Sequence, residues 1–127
     1  MDRYHFEQLV REAILAIPQS LREKMDNVVI VIEEKSRPKK GRQAEIKKNH
    51  VLLGLYEGVP KTERSRGYFG ALPDKITIFQ ESLQNLASSE QELKKLVRQV
   101  VWHEIAHHFG FDEIGIQELE AKKKKKL

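Results

Sequence analysis

The 127-residue sequence predicts one small domain that mixes helices with a few short strands. Three observations carry that prediction. An apolar stripe at helical spacing opens the chain, three short apolar runs cross its middle, and a long amphipathic segment lies towards its end. The length allows a real core but leaves no room for a second one.

Phe6, Leu9, Val10, Ala13, Ile14 and Ile17 recur every three or four residues, which predicts a first amphipathic helix stopped by Pro18. Val28 to Ile32 is a β-branched run too short for a helix, and reads as a buried strand. Lys35, Arg37, Lys39, Lys40, Arg42, Lys47 and Lys48 surround Pro38 and Gly41, a composition that predicts a mobile basic loop. Val51 to Tyr56 reads as a second strand, ended by Gly58 and Pro60. Lys61 to Gly70 is polar and predicts a loop or irregular edge. The turn signal Pro73-Asp74 introduces a third strand at Ile76 to Phe79. Ser82 to Ala87 predicts a short helix, and Ser89 with Glu92 predicts a capping box that opens the long one. Gly110 is its natural stop. Ile114 to Lys126 has helical character with few apolar anchors, so its end is expected to fray. The domain is drawn at residues 1–121, with a lysine-rich tail at 122–127.

The chemistry concentrates in His103-Glu104-Ile105-Ala106-His107-His108-Phe109-Gly110. On a helix, residues four apart share a face, so His103 and His107 can reach one metal ion while Glu104 projects beside them. From Val100 to Phe111 the polar side chains are His103, Glu104, His107 and His108 alone, whereas Lys94, Lys95, Arg98 and Gln99 precede them. The helix thus runs from water into the core. A buried carboxylate among imidazoles costs several kcal/mol, on the order expected for uncompensated polar burial, unless it is paired or metal-bound. Such a metal activates water, with Glu104 as general base that passes the proton to the leaving amine.

A catalytic zinc site needs a third protein ligand. In the longer pattern HExxHxxGxxH that ligand lies ten residues after the first histidine, which here is Glu113, with Asp112 as its direct competitor. His108, adjacent to a ligand, points elsewhere and suits a supporting or packing role. An oxyanion donor could come from Tyr68, Tyr56, Arg64 or His50, and the sequence does not choose among them.

Composition narrows the field. The chain has no cysteine, which excludes disulfides, thiolate catalysis and Cys-ligated zinc. No apolar run reaches membrane-spanning length and the first residues lack a signal-peptide core, so a cytoplasmic protein is expected. The net charge of +4 owes five positive charges to Lys122 through Lys126, and the remainder is close to neutral. Nucleic-acid contact through the basic loop and tail stays open, although no aromatic residues interleave with the charges to stack on bases.

At this point the chain resembles a known family. Leu52-Leu53-Gly54-Leu55-Tyr56-Glu57-Gly58-Val59-Pro60, then Thr62-Glu63-Arg64, Leu72 to Phe79 and His103 to Gly110, are similar to the minimal zincin-like metallopeptidases, small bacterial proteins with an HExxHxxGxx(D/E) pattern. The resemblance covers nearly the whole chain. It implies a single small α+β zincin-like domain, with a sheet of about three to four strands packed on helices that include the motif helix. It also implies Zn2+ as cofactor, held by His103, His107 and an acidic residue after Gly110, with Glu104 as general base. The family often carries Asp where this chain has Glu113, so Glu113 and Asp112 both remain candidates. No methionine follows the motif, so the Met-turn of metzincins is absent.

The leading reading is a zinc-dependent peptidase acting on peptide or protein substrates, with the strand at Leu53 to Tyr56 as an edge for an extended peptide. The alternatives are a zinc-dependent endoribonuclease or other nucleic-acid hydrolase, and a non-catalytic metal-binding module. Glu104 directly after the first ligand histidine counts against the endoribonuclease.

Overall fold

Among the described residues the elements run in the order α1 (Arg3–Leu15), α2 (Gln19–Arg22), β1 (Val28–Glu33), β2 (Glu45–Lys48), β3 (Val51–Glu57), β4 (Asp74–Phe79), α3 (Gln80–Leu86) and α4 (Glu90–His108), followed by a helical segment at 114–118. The computed structural model describes residues 1–35, 45–48, 51–58, 73–111, 114–118 and 121. The result is the α+β architecture anticipated from the sequence, one sheet beside a layer of helices.

Helix α1 starts earlier than its apolar stripe, because the Asp2 side chain caps it by accepting from the His5 backbone N–H at 2.8 Å. Its buried residues Phe6, Leu9, Val10 and Ala13 form the predicted face. Pro18 does more than end α1. It sits at the N-cap of the short α2, where its fixed φ suits a helix start.

The sheet order is β1-β4-β3-β2. Strands β1 and β4 run parallel, whereas β3 is antiparallel to both β4 and β2. Two expectations change here. The second half of the basic stretch is not loop: Glu45–Lys48 pairs with β3, with an irregularity between Ile46 and Lys47. Backbone hydrogen bonding to a preformed neighbour recruits a polar segment whose composition carries no strand signal. Consequently β3 is an inner strand, with Gly54 and Leu55 paired on both sides, so it does not offer the free edge that an added peptide strand needs. The segment 61–70 lies outside the described residues.

The core lies between this sheet and the helices. Leu53, Tyr56, Ile76 and Ile78 meet Phe6 and Leu9 of α1, Leu83 of α3, and Val97, Val100, Val101 and Ile105 of α4 in one apolar cluster. Gly54 and Tyr56 pair with Ile78 and Ile76, and partners in register share a sheet face. That face receives α4. Residues 114–118 are helical, and Ile116 is fully buried, a firmer anchor than the sequence suggested.

Candidate metal site

Both ends of α4 are fixed by local chemistry. Ser89 is the N-cap and its hydroxyl accepts from the Glu92 N–H at 3.1 Å. The Glu92 carboxylate reaches back to the N–H of Ser88, at 2.6 Å, one residue before the position an ideal capping box would use. At the far end the Phe111 N–H donates to the Ala106 carbonyl at 3.1 Å and the Gly110 N–H to that of His107 at 2.9 Å. This is a Schellman closure, with Gly110 at φ 100° in the left-handed region that L side chains avoid. The motif therefore occupies the last, buried turns of a helix whose first turns are largely exposed.

Within those turns His107 is buried, His103 is half-buried, and Glu104 is 0% exposed. The two rings lie at 66° with centroids 5.0 Å apart. Two imidazoles on one tetrahedral zinc, at Zn–N of about 2.0–2.1 Å, set their ring centroids about 5 Å apart. The pair therefore fits a shared metal, and its nitrogen donors suit zinc in a chain without thiolates. The two candidates for a third ligand, Glu113 and Asp112, lie outside the described residues. Among the described residues no group of three or more His, Asp or Glu converges as a metal site.

Glu104 owes its place to a glycine. A Cβ on Gly54 of β3 would stand 2.5 Å from Val100 Cγ1, 3.2 Å from Glu104 Cγ and 3.3 Å from Glu104 Oε2. No other residue at position 54 lets α4 come this close to the sheet. The sequence carried a signal for this, a lone glycine inside an apolar strand, which marks a bulge or a close backbone approach. The adjoining β2–β3 irregularity fits the same signal.

His108 is fully buried and, as anticipated, turns away from the other two. Its Nε2 accepts from the Asp26 backbone N–H at 3.3 Å, which assigns the ring proton to Nδ1, and Nδ1 donates to Asp74 Oδ2 at 2.8 Å. The Tyr56 hydroxyl donates to the same oxygen at 2.5 Å. Its one proton is thus committed to Asp74, which removes Tyr56 from the oxyanion candidates. His50, Arg64 and Tyr68 lie outside the described residues. Sequence reading took Asp74 only as a turn residue. Nothing local marks it as a partner of His108, thirty-four positions later.

An HExxH helix docked on a small mixed sheet defines a zincin-like class of domain. The family model for zincin-like metallopeptidases matches residues 25–123. This chain belongs to that family. Among solved structures, a conserved hypothetical protein from Thermus thermophilus shares the fold, with a TM-score of 0.55 and 20% identity over 95% of this chain and 99% of that one. No curated protein matches the chain. Among the described residues no helix is long and apolar enough to cross a membrane.

Proposed function

We propose that the protein is a zinc-dependent peptidase, with His103, His107 and Glu113 as metal ligands, Asp112 as the alternative to Glu113, and Glu104 as general base. The observation that carries this reading is a fully buried carboxylate, Glu104, next to two histidine rings set at the spacing of a shared metal. Zinc in such a site lowers the pKa of water towards neutrality and polarises the scissile carbonyl.

The chain's own residues do the rest. Glu104 accepts a proton from the attacking water and delivers it to the leaving amine, a role worth roughly 10²- to 10⁴-fold in rate. Its carboxylate is packed over Gly54, so its oxygens are held close to one orientation. The Tyr56 ring lies beside His107, nearly parallel to it at 17° with centroids 6.4 Å apart. Substrates on this reading are peptides or proteins of the cytoplasm.

The test is a pair of variants assayed with a quenched peptide library and by metal analysis. Glu104→Gln keeps about one equivalent of zinc and loses roughly 10²-fold or more in kcat. His107→Ala loses both zinc and cleavage. Wild-type cleavage by Glu104→Gln would overturn the mechanism.

A further inference from the structure

The hydrogen bonds of the buried cluster Asp74, His108 and Tyr56 take no direct part in the hydrolysis proposed above. Asp74 Oδ2 accepts from the Tyr56 hydroxyl and from His108 Nδ1, and His108 Nε2 accepts from the Asp26 N–H. The Asp74 N–H in turn donates to the Asn27 carbonyl at 2.8 Å, where Asn27 turns the chain with φ 52°. Gly58 closes over the carboxylate so tightly that a Cβ there would overlap Asp74 Oδ1. The carboxylate thus ties β3 and the last helical residue of α4 to β4, while the Asp74 N–H and His108 Nε2 hold the turn before β1.

An apolar trio of equal volume could fill this space at no loss of stability, since a buried charged or polar cluster is seldom the most stable choice. What apolar packing lacks is direction. Hydrogen bonds fix angle as well as distance, and these converge on the residue that follows His107. Tyr56 serves both sides of the arrangement. Its hydroxyl holds Asp74, while its ring lies nearly parallel to His107 with centroids 6.4 Å apart and edge-on to His108 at 6.2 Å. Slipping or rotating the last turn of α4 would break the His108 hydrogen bonds and lift His107 off the tyrosine ring.

We infer that Tyr56, Asp74 and His108 are positioning residues that hold the His107 ring and the final turn of α4 in the orientation that receives the metal. This rests on the metal site proposed above. Groups that hydrogen-bond a metal ligand directly contribute roughly 10- to 100-fold to metal affinity. The lower end of that range is expected here, where the cluster acts on His107 through the neighbouring residue and the Tyr56 ring.

Wild type, Tyr56→Phe and His108→Gln are prepared metal-free. Each is titrated with Zn2+ against a chelator and with Co2+ by visible absorption, and the stability of each metal-free protein is measured in urea. In folded Tyr56→Phe, which keeps the ring and loses only the hydroxyl, the zinc Kd rises roughly tenfold and the cobalt bands shift. A folded Tyr56→Phe with the wild-type Kd and cobalt spectrum overturns the inference, even if its metal-free stability falls, because that is the outcome of a purely structural cluster. If His108→Gln does not fold, Tyr56→Phe decides alone. Zinc binding by wild type with no change in the variants removes the inference and spares the metal site; no binding by wild type removes both.

Discussion

Gly54→Ala is the sharpest perturbation the fold offers, because its effect comes from space alone. Gly54 has no left-handed backbone, so alanine meets no conformational barrier at that position. The added methyl would stand 2.5 Å from Val100 Cγ1, against an optimum of about 3.5–4.0 Å for carbon pairs. Either Val100 or the helix must therefore retreat by about 1 Å. Val100 cannot simply rotate away, since a valine in a helix has one strongly preferred χ1 and leaving it costs about 0.5–1.5 kcal/mol. With general overpacking at about 1–3 kcal/mol, a loss of about 2 kcal/mol is expected. For a urea slope of about 2 kcal/mol/M, the unfolding midpoint drops by about 1 M. Glu104 stands behind the same methyl at 3.2 and 3.3 Å, so peptide hydrolysis falls further than the folded fraction does. Val100→Ala opens the missing space. In the double variant the two losses should be non-additive, with a favourable coupling of at least ~1 kcal/mol. Additive losses, or an unchanged midpoint for Gly54→Ala, would refute the close packing of β3 on the motif helix.

Two further predictions concern the start of α4 and the proposed zinc. Ser89→Ala removes the N-cap acceptor and should cost about 1 kcal/mol, lowering Tm by about 4 °C in calorimetry; a change under about 1 °C in Tm would show that the cap contributes nothing. Zinc supplied at a hundred times its Kd should stabilise the protein by about 2.7 kcal/mol, raising Tm by about 10 °C, and a chelator should reverse it. His107→Ala should abolish the zinc-induced rise, and a wild-type Tm indifferent to zinc would sink the metal reading.

Some of this molecule can be read locally and some cannot. The Phe6-to-Ile17 stripe, the strands at Val28, Val51 and Ile76, and the capping pair Ser89 and Glu92 each state their structure within a dozen residues, because helical and strand periodicities are short-range. Strand β2 was not legible. Its Glu45-Ile46-Lys47-Lys48 sequence has no strand pattern of its own, and it becomes a strand only because β3 offers it hydrogen bonds. That same pairing buried the edge once expected to receive peptide. Within the site, His103, Glu104 and His107 were legible because a helix sets residues one and four apart in fixed relation. Tyr56 entered as an oxyanion candidate and Asp74 as a turn residue. Asp74 is the shared hydrogen-bond partner of Tyr56 and His108, which lie far from it along the chain, and no local rule connects the three.

The fold class and the motif helix with its stop at Gly110 follow from local sequence alone. Through His103, Glu104 and His107 it also points to metal chemistry. These depend on interactions within a few residues of the chain, where the backbone geometry is known in advance. The strand order, the fit of Gly54 beneath Glu104, and the meeting of His108 and Tyr56 on Asp74 emerge only when distant segments pack together. Those depend on which surfaces meet when the chain folds, and an approach between residues forty-six positions apart that leaves no room for a Cβ at Gly54 has no counterpart in local periodicity.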